Sequence, residues 1–198
     1  MSLPNLLVIG AMKAGSTSLH KYLNQHPDIF MAEMKETNFF IEEINWKKGV
    51  QWYSSHFPTK SKIRGESSIG YTKEKEYPRV PEKIYDVLGK DCKFIYIVRN
   101  PIDRAISHFI DDMLYKQTDN AVYPEINKAL LEKGNKYVEA SNYYQQLLAY
   151  LDYFKLSNFH FVDFEKFQND SISELNKICD FLEVDYFPEN MEFCNVFN

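Results

Sequence analysis

The chain has 198 residues, of which 44% are hydrophobic and 26% charged, and its formal net charge is −5. This size and composition predict one globular domain, residues 1–198, with a buried core. The negative charge argues against nucleic acid as a partner, because nonspecific binding to nucleic acid needs a basic surface. The three cysteines, Cys92, Cys179 and Cys194, lack the spacing of metal ligands and argue against a disulfide framework or a structural zinc site.

No apolar run reaches the length of a membrane span, and the N-terminus has no signal-peptide pattern. The cysteine usage is typical of a reduced compartment. The sequence therefore predicts a cytoplasmic protein without a membrane span, and it leaves the oligomeric state open.

In chain order, the first half alternates between apolar strands and amphipathic helices. The pattern predicts a strand over 6–10, a loop over 10–15, a helix over 16–25, a short apolar segment over 29–32, a polar segment over 33–38, a return to the core at 39–41, a surface helix over 45–57, a weak strand over 63–68, and a helix over 78–88 ended by Gly89.

The second half continues the alternation. It predicts a buried strand over 93–98, a helix from 102, a loop over 116–124, helices over 124–133 and 139–155, a strand over 159–164, a helix over 172–182 capped by Ser171 or Ser173, and an irregular tail from 183. Strands that alternate with helices predict an α/β fold with a central parallel sheet and flanking helices.

Ligands of such sheets gather at the carboxyl ends of the strands. The polar residues that follow each predicted strand are therefore expected to lie near one another. They are Lys13, Ser16 and Thr17 after the first strand, Glu66 to Ser68 after the second, Arg99 and Asn100 after the third, and Asp163 and Glu165 after the fourth.

The segment Leu6–Leu19 is typical of a strand, a glycine-bounded loop and a hydroxyl-rich helix start. Such a turn directs backbone N–H groups and the positive end of the helix dipole at one point, which suits a phosphate or a sulfate. An ordinary strand-to-helix turn is the alternative. Gly10-x4-Gly15 has the spacing of a phosphate loop, but Lys13 lies inside the loop, whereas a nucleoside triphosphatase needs lysine directly after the second glycine.

The sequence also matches poorly the magnesium-binding acid that a nucleoside triphosphatase needs. The buried strand 93–98 is followed by Arg99, a cation, and Val162-Asp163 is the remaining strand-then-acid candidate. No metal is predicted. Arg99 and Ser107 can contact the same ligand only if the loop 99–101 turns back toward the helix that carries Ser107. A structural salt bridge and a hydroxyl bonded to its own helix backbone are the alternatives for these two residues.

Five segments, in the expected order, resemble sulfotransferases that use 3′-phosphoadenosine 5′-phosphosulfate (PAPS), most closely the heparan-sulfate and bacterial branch. They are the 5′-phosphosulfate loop Gly10–Leu19, the segment Lys35–Phe40 that supplies the catalytic acid, the segments Gly65–Tyr71 and Phe161–Phe167, and the 3′-phosphate loop-helix Tyr96–Phe109.

The resemblance implies a three-layer fold related to the P-loop nucleotide kinases. It also implies transfer of a sulfuryl group from PAPS to an acceptor hydroxyl or amine, which leaves adenosine 3′,5′-bisphosphate (PAP). Lys13 would stabilise the leaving phosphate, and Glu36, with Glu33 as the competing carboxylate, would act as general base. The implied cofactor ligands are Ala14, Gly15, Ser16, Thr17, Ser18, Arg99 and Ser107, and the implied acceptor or sulfonate neighbours are Asn38, Glu66, Ser67 and Tyr71.

The sequence departs from the family at three places. Ser67 stands where some heparan-sulfate members have lysine, and Asn38 stands where they have histidine. The chain also ends at Asn198 without the basic, glycine-containing loop that usually clamps the 3′-phosphate and the adenine. These departures leave a small molecule or a saccharide as acceptor. They also leave two alternative functions, a variant P-loop kinase and a noncatalytic PAP-binding fragment.

Overall fold

The computed structural model describes residues 2–115, 125–132 and 134–188. Their strands form a parallel sheet in the order β2-β3-β1-β4-β5. The strands are β1 Leu6–Gly10, β2 Ile29–Met31, β3 Ile63–Glu66, β4 Lys93–Val98 and β5 Phe159–Asp163. The predicted α/β fold with a central parallel sheet is confirmed.

Helices flank this sheet. They are α1 Ser16–Leu23, α2 Gly49–Ser55, α3 Val80–Leu88, α4 Pro101–Tyr115, α5 Ile126–Leu131, α6 Lys136–Glu139, α7 Tyr143–Leu151, α8 Phe164–Asn169 and α9 Ser171–Leu182. Among the described residues, none of the helices is both long enough and apolar enough to cross a membrane.

The two central strands bring the predicted site together. Strand β1 is buried along its whole length, and Leu7 pairs with Glu66 of β3 on one side and with Phe94 of β4 on the other. Continuous apolar sequence is what a strand covered on both faces needs. Since the pairing is parallel, the loops after β1, β3 and β4 leave the same edge of the sheet.

Some element boundaries differ from the prediction. The segment Ile29–Met31 is a strand, but three residues are too few to show a strand period. The helix predicted over 139–155 is present as α7, but it is shorter than predicted, because the chain turns between α6 and α7. Asn135 caps α6 by accepting a hydrogen bond from the Val138 amide (2.9 Å).

The C-terminal part differs too. Helix α8 was not predicted, and the cap of α9 is Asp170, whose carboxylate accepts from the Ser173 amide (3.0 Å); Ser171 and Ser173 lie inside the helix. In the aromatic segment 45–57, Tyr53 is fully buried and belongs to the core. The predicted loop 116–124 and residues 189–198, with Cys194, lie outside the described residues.

Gly15 precedes α1 at a φ of +87°, and a Cβ there would lie 2.8 Å from Cε2 of Phe164. Gly89 has a φ of +77° with a ψ of 179°, a backbone region that is essentially restricted to glycine, and no described atom lies within 4 Å of its Cβ position. We predict that Gly89→Ala lowers the free energy of unfolding by about 1–3 kcal/mol through backbone strain alone. Gly15→Ala combines left-handed strain with overpacking against Phe164 and is expected to cost about 2–5 kcal/mol. Urea denaturation measures both variants, and a loss below 1 kcal/mol for Gly15→Ala would contradict the close packing at Phe164.

Candidate active site

The loop between β1 and α1 packs tightly against its neighbours. A Cβ on Gly10 would lie 2.8 Å from Oγ1 of Thr72 and 3.1 Å from Cε2 of Tyr96. Lys13 has a left-handed backbone with a φ of +65°. A lysine gains nothing from that conformation, and backbone strain of this kind costs on the order of 1–3 kcal/mol and concentrates at functional sites. The strain therefore marks Lys13 as a residue whose position in the loop matters.

Two arginines form hydrogen bonds with backbone carbonyls of the loop between β1 and α1. Arg99 donates to the carbonyl of Lys13 and Arg104 donates to the carbonyl of Met12, both at 3.2 Å. Arg104 is fully buried. Its other hydrogen-bond partners among the described residues are also uncharged: Oγ of Ser141 (2.6 Å), Nδ1 of His108 (3.4 Å) and the carbonyl of Tyr137.

Burial lowers the pKa of Arg104, but a guanidinium stays charged in proteins. A positive charge therefore lies next to the loop. The partners named above stabilise it with their dipoles, and none of them carries a negative charge. This charge adds to the helix dipole of α1 and favours an anion above the loop.

Helix α1 begins directly after this loop. Ser16 and Ser18 are buried and Thr17 is exposed, while Ala14 is buried in the core and Gly15 is the residue before the helix. Backbone N–H groups of a helix's first turn have no partner within the helix. The predicted cofactor segment therefore offers an anion its backbone donors, together with the hydroxyl groups of its first turn.

The amino group of Lys13 is paired with a carboxylate. Its Nζ lies 2.7 Å from Oδ1 of Asp111 on α4, and both side chains are about a quarter exposed. Sequence reasoning missed Asp111. The available signal was its spacing, since Asp111 lies four residues after Ser107 and hence on the same face of the helix.

Glu36 is linked to the start of α1 through a second lysine that sequence reasoning missed. Nζ of Lys35 lies 2.9 Å from Oε1 of Glu36 and 3.4 Å from Oγ of Ser16. Lys35 precedes the predicted base directly, so its place in the same segment was the available signal. The site thus holds two lysines, each paired with a carboxylate.

Glu66 anchors the segment that carries Glu36. Its carboxylate is fully buried and accepts hydrogen bonds from four hydroxyl groups: Thr37 (3.0 Å), Tyr53 (3.3 Å), Ser68 (2.6 Å) and Tyr71 (2.7 Å). Burial raises the pKa of Glu66, while these hydrogen bonds act in the opposite direction. Since Thr37 directly follows Glu36, the buried acid fixes the backbone next to the candidate base.

Further hydrogen bonds hold the same segment to the loop after β3. The Ser67 amide donates to the Lys35 carbonyl (2.7 Å), and the Asn38 amide donates to Oγ of Ser68 (2.9 Å). Asn38 is left-handed, with a φ of +46°, a conformation that asparagine tolerates better than most residues. Half-buried Asn38 is thus the most exposed of the four residues predicted near the acceptor, because Glu66, Ser67 and Tyr71 are at most 1% exposed.

His20 of α1 lies beneath this segment. Its Nδ1 is 2.8 Å from Oγ of Ser67, and burial, followed by the charge of Lys35, lowers its pKa to about 4. His20 is therefore neutral at pH 7. The Ser67 hydroxyl is therefore already hydrogen-bonded within the protein.

Three other predicted residues lie at the same edge of the sheet. Arg99 contacts the loop as described, and its guanidinium also lies 4.8 Å from the ring centroid of Phe164. Ser107 is half-buried on α4. Asp163 caps α8 by accepting from the Lys166 amide (2.9 Å), so its carboxylate is engaged in the fold. Within residues 2–115, 125–132 and 134–188, no group of three or more His, Cys, Asp or Glu could hold a metal ion.

The family model described as "Sulfotransferase domain" matches residues 3–194, and the chain belongs to this family. Mouse heparan sulfate glucosamine 3-O-sulfotransferase 5 is 32% identical over 191 residues, which cover 92% of this chain and 54% of that protein. The Caenorhabditis elegans bifunctional heparan sulfate N-deacetylase/N-sulfotransferase 1 is 28% identical over 94% of this chain and 23% of its own length. The chain thus spans about half or less of these curated relatives.

Solved structures show the same fold. A sulfotransferase from Alicyclobacillus acidocaldarius aligns with a TM-score of 0.79 and 26% identity over 97% of this chain and 87% of its own. Mouse sulfotransferase SULT7A1 complexed with PAP aligns with a TM-score of 0.60 and 22% identity, over 95% of this chain and 62% of its own. At that identity the second likeness shows the fold alone.

We predict that Glu66→Ala lowers the free energy of unfolding by about 3 kcal/mol or more, because it leaves buried hydroxyl groups without an acceptor, at about 1–3 kcal/mol for each group that finds no new partner. Glu66→Gln keeps one acceptor oxygen and is expected to cost less. Urea denaturation measures both variants. A loss below 1 kcal/mol for Glu66→Ala would show that the network does not anchor the fold.

Proposed function

We propose that the chain transfers a sulfuryl group from PAPS to an acceptor hydroxyl or amine and releases PAP. One observation carries this proposal. The amino group of Lys35 lies between the Glu36 carboxylate and the Ser16 hydroxyl, at 2.9 and 3.4 Å. The candidate base is therefore one side chain away from the anion-favouring start of α1. Membership of the sulfotransferase family supports the same reaction.

In the proposed step, the acceptor oxygen or nitrogen attacks sulfur while Glu36 takes its proton. The new bond to sulfur forms as the bond between sulfur and the bridging oxygen breaks, and the electron pair of that bond goes to the 5′-phosphate. Such a transfer mainly requires alignment and charge stabilisation. Help from a general base typically contributes ~10²–10⁴-fold.

Lys13 would neutralise the negative charge that develops on the leaving phosphate. Its present partner is Asp111, so the dianionic end of PAPS has to compete with this carboxylate for the amino group. The left-handed backbone of Lys13 and the two arginines beneath the loop fix where the amino group starts from. Ser16, Thr17, Ser18 and the backbone amides after Ala14 and Gly15 would hold the 5′-phosphate.

The 3′-phosphate of the cofactor would bind at Arg99 and Ser107. Arg99 already contacts the loop through the carbonyl of Lys13, which supports a second anion position beside the first. The names of the two curated relatives refer to heparan sulfate. They support a saccharide as acceptor, with a small molecule as the alternative.

Calorimetry with PAP and AMP tests the cofactor assignment. We predict that PAP binds more tightly than AMP and that Arg99→Ala weakens PAP binding by ~1.5–3 kcal/mol, the value of a charged hydrogen bond. Arg79→Ala is the matched control, because Arg79 is exposed and pairs with Glu82 on α3. Equal affinity for PAP and AMP would contradict the 3′-phosphate site, and magnesium-dependent ATP turnover would favour the kinase alternative.

Sulfuryl transfer from labelled PAPS to a panel of sugars, phenols and amines tests the catalytic roles. We predict that Lys13→Ala abolishes transfer and that Glu36→Gln lowers kcat about 100-fold or more while PAP binding stays unchanged. Glu33→Gln is the matched control, since Glu33 is an exposed carboxylate three residues earlier in the same segment. If Glu33→Gln has the larger effect, the base is Glu33; if PAP binds but no acceptor reacts, the chain is a noncatalytic binding fragment.

A further inference from the structure

The oxygens of the transferred sulfuryl group need a hydrogen-bond donor of their own. In the proposed step, Lys13 stabilises the leaving phosphate and Glu36 takes the proton of the acceptor, so neither side chain serves these oxygens. Charge that shifts in a transition state is stabilised best by donors that already lie in place. Lys35, the lysine directly before Glu36, is a cation placed to meet this need.

The amino group of Lys35 lies between the two ends of the proposed reaction. Its Nζ is 3.4 Å from Oγ of Ser16, in the first turn of α1 where the 5′-phosphate would bind, and 2.9 Å from Oε1 of Glu36. In an in-line transfer, the sulfur moves from the phosphate oxygen to the acceptor atom, whose proton goes to Glu36. The transferred group would therefore pass within reach of the Lys35 amino group.

Lys35 also separates two groups of the same charge. The sulfuryl group of PAPS is anionic, and so is the Glu36 carboxylate that has to lie close to the acceptor. Like charges at short range repel each other, and a cation between them replaces the repulsion with two attractions. An ammonium group carries three N–H donors. Among the described residues it donates to Glu36 and Ser16, so a third donor remains for a ligand oxygen.

The fold holds this amino group in place and leaves it accessible. The carbonyl of Lys35 accepts from the Ser67 amide (2.7 Å), which ties the backbone of Lys35 to the loop after β3. The side chains of Lys35 and Glu36 are 22% and 36% exposed, so a ligand can contact both. The charge of Lys35 also contributes, after burial, to the lowered pKa of His20, in agreement with its position beside α1.

We propose that Lys35 is a further catalytic residue, which donates a hydrogen bond to an oxygen of the sulfuryl group while it stays paired with Glu36. Lys35 remains protonated throughout the step, since the acceptor proton goes to Glu36 and the electron pair of the breaking bond goes to the 5′-phosphate. This role rests on the proposed function, because a sulfuryl group is present only if PAPS is the donor. It divides the work of the two lysines, with Lys13 at the leaving phosphate and Lys35 at the transferred group.

Binding of PAPS and of PAP to the full chain tests this role without relying on turnover, because PAP lacks the sulfuryl group. We expect Lys35→Met to weaken PAPS binding about 10- to 100-fold, the fold-change of one charged hydrogen bond, and to change PAP binding less than about 2-fold. Calorimetry without acceptor measures both affinities, and chromatography after each run checks that PAPS is intact. The retained affinity for PAP also reports a folded variant.

Two further single variants frame this result. Lys35→Arg is expected to recover part of the PAPS affinity, because a guanidinium keeps the charge but not the compact shape of the ammonium group. Lys21→Met is the matched control, since Lys21 is an exposed lysine on α1, and it should leave both affinities unchanged. With an acceptor and saturating PAPS, Lys35→Met is expected to lower kcat about 10-fold or more.

A double variant separates a direct contact from neutralisation of charge. If Lys35 acted only by cancelling the charge of Glu36, then Glu36→Gln would restore full PAPS binding to Lys35→Met. We expect the loss to persist when Lys35→Met/Glu36→Gln is compared with Glu36→Gln alone. Full restoration, an equal loss of PAP and PAPS affinity, or unchanged PAPS binding in Lys35→Met would overturn the role of Lys35. Those outcomes leave the preference of the unaltered chain for PAP over AMP intact, whereas failure of the proposed function removes that preference.

Discussion

The geometry of the site depends on the hydrogen bonds of the buried Arg104 guanidinium. The guanidinium lies beneath the loop between β1 and α1, and its partners at Met12, Ser141, His108 and Tyr137 carry no charge. A buried charge is tolerated only when its hydrogen-bonding groups are satisfied. The same contacts that satisfy Arg104 fix the loop, α4 and the turn before α7 relative to one another.

Glu66 plays the complementary part on the other side of β1. It is a buried acid that accepts hydrogen bonds from hydroxyl groups in the segment after β2, in α2 and in the loop after β3. Arg104 therefore organises the loop that carries Lys13, and Glu66 organises the segment that carries Glu36. In both cases a buried ionisable group stabilises the backbone next to a side chain that we propose takes part in the reaction, and both buried groups are 0% exposed.

The two side chains proposed to react are each paired with an opposite charge in this structure, Lys13 with Asp111 and Glu36 with Lys35. These pairs are partly exposed, so each contributes little to stability. They keep opposite charges close to the start of α1. In the proposed reaction, the dianionic end of PAPS would displace Asp111 from Lys13.

The sequence by itself determined the sheet, the loop between β1 and α1, and the family. The apolar runs of β1 and β4 and the glycine spacing around Lys13 are local signals, and the motif order around Glu36 and Arg99 identified the family. The bounds predicted for the helix over 139–155 were too wide, because Ser141 contacts Arg104 and the Pro101 carbonyl and so belongs to a turn before α7. Only the tertiary structure decided that Glu66, Ser67 and Tyr71 are buried, and that Asp111 and Lys35 pair with the predicted residues. The physical reason is that burial and charge pairing are set by residues far apart in sequence, such as Lys13 and Asp111 or Thr37 and Glu66, which no local pattern records.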